Sequence, residues 1–454
     1  MTQLACFKAY DIRGRVPDEL NVGLVYKIGV AYALEMNATK IVVGYDARLE
    51  SPEILDALIK GLNSQNVAVI NLGLCGTEEV YFHTFNMESK GVNGGIMVTA
   101  SHNPKGYNGL KMVSKGARPI SGADGLKRIH DRVVNMGLNL LSSAPAAQSV
   151  EQHNKAEYIQ HLLSYIDVTA LKPLKIVVNP GNGTAGLALK QLATHLPCEF
   201  IYLHENMDGN FPNGIPNPLL PENRSSTQQA VKEHKADLGI AWDGDFDRCF
   251  FFDENARFIE GYYIVGLLAQ AFLKKNKGAS IIHDPRLIWN TIDIANTLGG
   301  KAIQSKTGHS FIKQIMREED AVYGGEMSAH HYFKDFAYCD SGMIPWLLVA
   351  ELMSMQNTPL SKMVDEGIAA YPCSGEINYK VSDTKKVLTN IRQYFSHLNP
   401  TIDIRDGLSM SFENWRFNIR ASNTEPFLRL NIETKNDQIL LKEKIIEFEN
   451  LIHI

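Results

Sequence analysis

The chain is poor in cysteine for its 454 residues, with only six. None of the six forms a CxxC pair, so the sequence predicts neither a disulfide framework nor a zinc site. They lie far apart, at Cys6, Cys75, Cys198, Cys249, Cys339 and Cys373. We therefore expect a reduced, cytoplasmic protein.

Long apolar runs and an excess of basic residues are also absent. The first 15 residues lack the apolar core of a signal peptide. The most apolar later stretch, Met343–Met353, contains Glu351 and is too short to span a bilayer. The net charge of −5 argues against a general nucleic-acid binder. Neither a membrane nor a nucleic acid is thus expected as a partner, whereas an anionic substrate is compatible because a cleft concentrates local charge.

Short β-branched strands recur along the first 370 residues, each ending in a polar turn with glycine or proline. They are Lys40–Gly44, Lys175–Val178 and Ala279–Ile282, and helical patterns such as Pro52–Asn63 and Gly186–His195 follow. Alternating strands and helices are typical of parallel sheets covered by helices. The recurrence predicts three related α/β units.

The pattern changes after Tyr371. A helical pattern covers Val387–Leu398, strands are predicted at Trp415–Ile419 and Phe427–Ile432, and a final helix covers Ile439–Ile452. This order predicts a smaller α+β domain. With a small, polar linker at Leu141–Ser149, the predicted domains are 1–148, 149–253, 254–370 and 371–454.

Three aspartates alternate along one short segment. In an extended chain, Asp243, Asp245 and Asp247 would project from one face, and three carboxylates suit Mg²⁺. Arg248 could pair with a phosphate or neutralise the carboxylates. Glu254 stands where an EF-hand calcium loop has its last ligand, but Arg248 occupies that loop's glycine position and the flanks are typical of strands. An acidic turn without a metal is the alternative.

A serine with a neighbouring histidine follows another predicted strand end. Ser101 and His102 lie in Thr99–Pro104, directly after the apolar run Gly95–Val98. A serine held at the end of a sheet can carry a covalent group, although the same residues also compose an ordinary turn. Lys111, ten residues on, could steady a phosphate or move a proton, or be a solvated lysine at a strand end.

A third polar loop, Gly324–His331, follows the apolar run Ala321–Tyr323. Glu326 and Ser328 are two residues apart, and a carboxylate with a hydroxyl can clamp a sugar diol. The alternative is a tight turn followed by two surface histidines. His309 lies in another predicted loop and could shuttle a proton, although a single histidine is more often structural.

The fourth polar loop, Arg420–Pro426, joins the two C-terminal strands. Arginine offers a fork that matches phosphate oxygens, and neutral donors surround it. These donors are Ser422, Asn423 and Thr424. Their density favours phosphate binding over an ordinary turn of the same composition.

These four loops, in this order, resemble those of the α-D-phosphohexomutase superfamily, as does the opening segment Phe7–Gly14. The resemblance covers nearly the whole chain, from about residue 7 to residue 430. It implies an α/β fold: three related α/β domains with mixed, mainly parallel sheets, and a C-terminal α+β domain, around a central cleft.

The resemblance also implies a mechanism. Ser101 would rest as a phosphoserine whose phosphate completes the Mg²⁺ shell of Asp243, Asp245 and Asp247. A hexose phosphate would take the phosphoryl group from Ser101, and a hexose 1,6-bisphosphate intermediate would reorient and return the other phosphoryl group.

For the substrate, the resemblance implies a phosphate anchor and a sugar clamp. The residues implied in substrate binding are Tyr10, Arg248, Arg286, Glu326, Ser328, His330, Arg420, Ser422, Asn423 and Thr424. Candidates for proton transfer and phosphate support are Arg13, His102, Lys111 and His309, without an order among them.

Met327 matches the mannose and glucose branch of the superfamily. The resemblance implies interconversion of mannose 6-phosphate and mannose 1-phosphate for GDP-mannose synthesis, with glucose phosphates, alone or in addition, as the alternative. Arg286 stands where the superfamily leads us to expect a lysine, so the charge is kept while the geometry differs. We expect a monomer or a homodimer.

Overall fold

The computed structural model describes residues 4–136, 148–421 and 427–452. Its strands, in chain order, are β1 (Ile12–Arg15), β2 (Lys40–Tyr45), β3 (Ala68–Leu74), β4 (Gly94–Val98), β5 (Tyr107–Ser114), β6 (Arg118–Pro119), β7 (Val150–Glu151), β8 (Lys175–Asn179), β9 (Glu199–Tyr202), β10 (Leu238–Trp242), β11 (Cys249–Phe252), β12 (Phe258–Ile259), β13 (Ser280–His283), β14 (Lys301–Gln304), β15 (Tyr323–Gly325), β16 (His331–Phe333), β17 (Cys339–Asp340), β18 (Ile377–Lys380), β19 (Thr401–Asp403), β20 (Leu408–Ser411), β21 (Trp415–Ala421) and β22 (Phe427–Thr434).

The helices alternate with these strands over most of the chain. They are α1 (Val22–Met36), α2 (Ser51–Asn63), α3 (Thr77–Asn86), α4 (Lys127–Asn135), α5 (Ala156–Leu163), α6 (Ala185–Ala193), α7 (Ser225–His234), α8 (Gly261–Lys275), α9 (Trp289–Thr297), α10 (His309–Glu318), α11 (Ile344–Gln356), α12 (Leu360–Ala370), α13 (Thr384–Phe395) and α14 (Gln438–Ile452). In the described part of the chain, no helix is long and apolar enough to cross a membrane.

The chain divides into two compact units. The first comprises Met1–Phe258 and Asp335–Asn357, and the second comprises Ile259–Lys334 and Thr358–Ile454. Two sheets lie mainly in the first unit and two mainly in the second.

The larger sheet of the first unit has the order β1-β5-β4-β2-β3-β7, with β6 beside β5. Strand β2 pairs in parallel with β3 and β4, whereas β5 pairs antiparallel with β4 and β1. Its core includes the buried side chains of Ile41, Val43 and Ile96 with Ile54 and Leu58 of α2. Proline near the start of α2 suits a helix beginning, because its fixed φ is already helical.

The second sheet of the first unit is built around β11-β10-β8-β9. Strand β8 pairs in parallel with β10 and β9, and β10 pairs antiparallel with β11. The turn that connects β10 to β11 contains the three aspartates, so both ends of that segment are anchored in paired strands of the sheet.

The second unit contains one mainly parallel and one antiparallel sheet. Strands β14-β13-β15-β16 lie in that order, with β13 parallel to β14 and β15. The C-terminal sheet, β18-β22-β21-β20-β19, is antiparallel throughout. Its core packs Phe395 of α13 and Phe448 of α14 against Phe417 of β21.

The predicted fold class is confirmed, because mixed, mainly parallel sheets with helices are followed by a C-terminal α+β domain with an antiparallel sheet. The strands predicted at Lys40–Gly44, Lys175–Val178 and Ala279–Ile282 correspond to β2, β8 and β13. Of the predicted linker Leu141–Ser149, residues 141–147 lie outside the described part of the chain. The four domain boundaries stay a prediction.

Candidate active site

The serine loop follows the carboxyl end of β4. Ser101 has a φ of +50°, a left-handed conformation that costs energy in a residue with a side chain and that often marks functional sites. The Ser101 amide donates to Thr99 Oγ1 at 2.8 Å. A Cβ on Gly244 would lie 2.7 Å from the Ser101 carbonyl oxygen, so only glycine lets the aspartate segment approach the loop this closely.

A buried arginine holds the backbone of the serine loop. Arg48 donates through Nη2 to the carbonyl oxygens of Ser101 (2.9 Å) and Asn103 (2.6 Å). Its Nη1 donates to the carbonyl oxygens of Pro104 and Tyr107, each at 3.0 Å. Because Arg48 is only 2% exposed, these bonds fix the loop in a place where water cannot replace them.

The aspartates lie in a turn and not in an extended segment, which corrects the sequence-based expectation. Phe246 has a φ of +44°, and this left-handed residue reverses the chain between β10 and β11. The turn still gathers the three side chains: oxygens of Asp243, Asp245 and Asp247 lie within 4.8 Å of one another, and all three residues are buried. The residue types and their convergence are suited to a metal ion.

The serine hydroxyl meets the aspartates directly. Ser101 Oγ donates to Asp243 Oδ2 at 2.7 Å and lies 3.0 Å from His102 Nδ1. Arg248 donates to Asp243 Oδ2 through Nε at 3.0 Å and Nη2 at 2.8 Å, and Nη2 also contacts His102 Nδ1. The structure therefore brings together two loops that the sequence singled out separately.

Lys111 and Arg13 add positive charge to this group. Lys111 Nζ donates to Asp245 Oδ2 at 2.7 Å and contacts the Asp247 carboxylate. Lys111 is buried in the middle of β5, which rules out a solvated lysine at a strand end. Arg13 donates to Asn103 Oδ1 of the serine loop at 2.6 Å, and Tyr10 lies half-buried in the bend that precedes β1.

Burial and mutual charge shift the ionisation of this group. Burial raises the pKa of Asp243 to about 6 against the lowering effect of Arg248. Burial also lowers the pKa of His102 well below its usual value, and Arg248 and Arg13 lower it further, so the imidazole is neutral. For Lys111 the lowering effect of burial is outweighed by Asp245 and Asp247, which raise its pKa and keep it charged.

A second group of predicted residues lies in the second unit, at the carboxyl ends of β13 and β15. Arg286 Nη2 donates to Asp284 Oδ2 at 2.7 Å and to Ser328 Oγ at 3.1 Å. It also lies 3.5 Å from Glu326 Oε1. The carboxylate and hydroxyl predicted to face the same way thus share one arginine.

Glu326 lies at the centre of several polar contacts. It accepts from Tyr332 OH at 2.6 Å and lies 3.2 Å from His330 Nδ1. Burial would raise its pKa, but His330, Arg286 and Tyr332 outweigh burial and lower the pKa well below the usual range. These contacts therefore favour the ionised form of Glu326. His309 is the first residue of α10 and not a loop residue, and it follows Gly308, whose amide donates to Glu326 Oε1 at 3.0 Å.

Arg420 belongs to a cationic cluster around one carboxylate. Glu376 receives Arg420 Nη2 at 3.2 Å, and lies 3.7 Å from Arg286 Nη1 and 3.6 Å from Arg429 Nη1. Arg286 also pairs with Asp284 and Glu326. Arg420 and Arg429, by contrast, both contact Glu376 and offer two guanidinium groups suited to an anion such as a phosphate. The predicted anchor residues Ser422, Asn423 and Thr424 lie outside the described residues.

Sequence analysis missed Arg48, Asp46 and Glu376. Asp46 accepts from Thr99 Oγ1 and Ser51 Oγ, each at 2.7 Å, and pairs with Arg48. Its position directly after β2 was an available signal, because β2 and β4 are parallel neighbours whose carboxyl ends meet. Glu376 lies outside every polar loop that the sequence analysis identified, so nothing there indicated it.

Models of four known protein families match successive parts of the chain. Three are described as phosphoglucomutase/phosphomannomutase alpha/beta/alpha domains I, II and III and match residues 5–137, 156–257 and 260–371. The fourth, described as phosphoglucomutase/phosphomannomutase C-terminal domain, matches residues 376–445.

Similar proteins cover nearly the whole chain. One from Xanthomonas campestris pv. campestris, named phosphohexose mutases, is 55% identical over 449 residues, covering 99% of each chain. A phosphomannomutase from Escherichia coli strain K12 is 52% identical over 449 residues, covering 98% of each. A crystal structure of a phosphoglucomutase/phosphomannomutase family protein from Burkholderia thailandensis superposes with a TM-score of 0.86 at 30% identity, covering 99% of this chain and 97% of that one.

Proposed function

The chain belongs to the phosphoglucomutase/phosphomannomutase family, and we propose that it is a phosphomannomutase, an isomerase that interconverts mannose 6-phosphate and mannose 1-phosphate. Similar proteins named phosphomannomutase support this substrate, since one of them is 52% identical over 98% of the chain. Mannose 1-phosphate would then supply GDP-mannose synthesis.

One observation carries the proposed mechanism. Ser101 Oγ lies 2.7 Å from Asp243 Oδ2, within a buried cluster that also contains Asp245, Asp247 and Lys111. A hydroxyl in that position can carry a phosphoryl group while nearby charges stabilise it, since catalysis of phosphoryl transfer is mostly positioning and electrostatics.

The proposed reaction has two half-reactions that balance. In the first, the free hydroxyl oxygen of the hexose phosphate loses its proton to a base and bonds to the phosphorus on Ser101, the bond from phosphorus to Ser101 Oγ breaks, and Ser101 Oγ gains a proton. In the second, Ser101 Oγ loses its proton and bonds to the phosphorus of the other phosphoryl group of the hexose 1,6-bisphosphate, the bond from that phosphorus to the sugar oxygen breaks, and the released sugar oxygen gains a proton. The candidates for these proton transfers and for supporting the phosphate are His102, Lys111, His309 and Arg13.

The cluster fits Mg²⁺. Three carboxylates supply the hard oxygen ligands that Mg²⁺ prefers. Oδ1 of Asp245 is buried and has no hydrogen-bond partner within residues 4–136, 148–421 and 427–452. We propose that Asp243, Asp245 and Asp247, with the Ser101 phosphate, hold the ion. When bound, Mg²⁺ withdraws charge from the transferring group. Arg248, beside Asp243, would orient that phosphoryl group.

The second group of residues would recognise the sugar phosphate. Arg420, with the cationic cluster around Glu376, would bind the phosphate that is not transferred, together with Ser422, Asn423 and Thr424. The Glu326 carboxylate would accept hydrogen bonds from ring hydroxyls, and the Ser328 hydroxyl would donate to them. Arg286 and His330 lie beside these two residues. Tyr10 would add a contact to the substrate.

A second candidate function is a mutase that also accepts glucose phosphates. The broader name of the Xanthomonas campestris protein, phosphohexose mutases, favours it. Mannose and glucose differ only at C2, and no residue in the described groups is assigned to that position.

The deciding experiment is the ratio of kcat/KM for mannose 1-phosphate to kcat/KM for glucose 1-phosphate. It is measured with Mg²⁺ and a trace of hexose 1,6-bisphosphate. A ratio well above one supports a phosphomannomutase, and a ratio near or below one supports a dual or glucose enzyme. Release of inorganic phosphate without isomerisation would overturn the mutase and indicate a phosphatase.

A further inference from the structure

The first turn of α3 contacts the aspartate turn. Thr77, the first residue of α3, donates its amide to the Asp245 carbonyl oxygen at 3.0 Å. Its hydroxyl Oγ1 donates to Asp245 Oδ2 at 2.5 Å. Thr77 is completely buried, so water does not compete for either bond. One residue thus holds both the backbone and the side chain of a proposed metal ligand.

The two carboxylate oxygens of Asp245 differ in the hydrogen bonds that they accept. Oδ2 accepts from both Thr77 Oγ1 and Lys111 Nζ. Oδ1 is buried and accepts no hydrogen bond from any residue that the structure describes. A buried carboxylate oxygen without a donor is costly unless a cation occupies its neighbourhood. With Oδ2 fixed, the carboxylate cannot rotate to exchange its two oxygens, and Oδ1 is the one left for a metal.

Close packing fixes the start of α3 against the aspartate turn. A Cβ on Gly76, the residue before Thr77, would lie 2.1 Å from the Phe246 ring, so this ring rests directly on the helix start. The turn also meets Gly342, where a Cβ would lie 2.4 Å from the Phe246 carbonyl oxygen. The residue at the centre of the turn therefore makes two close glycine contacts, one of them with the residue that precedes Thr77.

We propose that Thr77 is a positioning residue for metal binding: its hydroxyl holds Asp245 Oδ2 so that Oδ1 faces the cation. This inference rests on the proposed function, since it takes the aspartate cluster as the metal site. Hydrogen-bond partners of metal ligands commonly change metal affinity by about 10- to 100-fold when they are removed.

The test measures Mn²⁺ affinity of the full chain by the electron paramagnetic resonance of free Mn²⁺. Thr77→Val removes the hydroxyl at nearly constant volume, and we expect its Mn²⁺ Kd to rise by about tenfold or more. Thr77→Ser keeps the hydroxyl and should bind close to the wild-type Kd. Activity provides a second readout: Thr77→Val should regain turnover at high Mg²⁺ concentration.

A matched control lies in the same helix. Thr84 is also completely buried, but its hydroxyl donates to the Val80 carbonyl oxygen of the same helix, at 2.6 Å. Thr84→Val should therefore leave the Mn²⁺ Kd unchanged. Far-UV circular dichroism of the metal-free variants separates a folding defect from a binding defect. If Thr77→Val does not fold, Thr77→Ala supplies the same comparison with a smaller side chain.

The outcomes distinguish a failure of the proposed role of Thr77 from a failure of the proposed metal site. A folded Thr77→Val or Thr77→Ala variant that binds Mn²⁺ with the wild-type Kd overturns the role of Thr77 and leaves the proposed function intact. A wild-type chain that does not bind Mn²⁺ overturns the metal site itself and the role of Thr77 with it. Weaker binding in Thr77→Ser, equal to that in Thr77→Val, would show that packing and not the hydroxyl matters.

Discussion

Individual side chains in the first unit act through pairs of opposite charge and through shared hydrogen bonds. Asp243 is contacted by Ser101 and by Arg248, and Lys111 lies beside Asp245 and Asp247. Each carboxylate is buried, so each would be costly to keep without a partner. Lys111 and Arg248 offset two of the three negative charges, so a phosphoryl group on Ser101 would add to a net negative charge that a bound cation would neutralise.

Replacing the serine tests the covalent step. In Ser101→Ala, we expect kcat to fall by at least about a thousandfold, because both half-reactions lose the group that carries the phosphoryl. Binding of mannose 1-phosphate, measured by isothermal titration calorimetry, should remain close to that of the wild type. Ser114→Ala, at the far end of β5, serves as the control. Mutase activity near the wild-type rate would contradict a phosphoserine mechanism.

Replacing Arg420 tests the phosphate anchor. Hydrogen bonds to charged groups contribute about 1.5–3 kcal/mol. Arg420→Ala should therefore raise KM by roughly tenfold or more for both the 1-phosphate and the 6-phosphate of mannose. Arg405→Ala, an exposed arginine between β19 and β20, should leave both KM values unchanged. A rise for only one of the two substrates would contradict a single anchor that serves both orientations.

At the scale of secondary structure, the candidate residues follow the carboxyl ends of strands. Ser101 follows β4, Asp46 follows β2, and Asp243 follows β10. In the second unit, Arg286 follows β13 and Glu326 follows β15. Neighbouring parallel strands end at one edge of a sheet, and ligands commonly bind there. The elements thus place side chains together that are far apart in the sequence.

The serine loop depends on Arg48, which follows β2. Arg48→Lys keeps the positive charge but loses the planar fork that reaches four carbonyl oxygens. We expect kcat to fall at least tenfold, and the free energy of unfolding to fall by about 2 kcal/mol for the lost hydrogen bonds. Steady-state kinetics and urea unfolding measure the two effects. The control, Arg257→Lys, changes a half-exposed arginine that pairs with Asp253. An unchanged kcat in Arg48→Lys would show that the serine loop keeps its conformation without the Arg48 guanidinium.

At the scale of the whole molecule, the segment Asp335–Asn357 belongs to the first unit although it lies in the part of the chain matched by the domain III model. Its helix α11 buries Trp346, whose ring meets that of Phe200 edge-on at 6.1 Å. Glu78 of α3 accepts from the Gly342 amide at 2.6 Å, and burial raises the pKa of Glu78 to about 8. The first unit is therefore completed by a segment far along the chain.

A fragment of residues 1–258 should consequently fail to fold cooperatively. Without the later segment, Trp242 Nε1 loses the Gly342 carbonyl oxygen and Glu78 loses two amide donors. Differential scanning calorimetry and dye binding should show a broad transition and exposed apolar surface. In the full chain, Trp346→Ala should lower the free energy of unfolding by about 3–5 kcal/mol. A fragment with a sharp, native-like transition would refute this dependence.

Local sequence patterns were sufficient to predict several of the strands and helices and the chemical types of the candidate site residues. Short β-branched runs such as Lys175–Val178 form strands because they fit a buried sheet, and the polar turns that follow them mark its carboxyl edge. The four polar loops were identified from their residues and their positions at predicted strand ends, and in their order they resembled the loops of the family. The central cleft, the domain boundaries, the cytoplasmic location and the oligomeric state stay predictions.

Which side chains lie together, and which partners hold each of them, became evident from the three-dimensional contacts. Alternation of the aspartates predicted one face of an extended segment, but a left-handed Phe246 gathers them in a turn. Arg48 and Thr77 act on residues 53 and 168 positions away, at Ser101 and Asp245. Glu376 gathers Arg420, Arg286 and Arg429. Such partners carry no local signal, because hydrogen bonds and charge pairs depend on distance in space and not on separation along the chain.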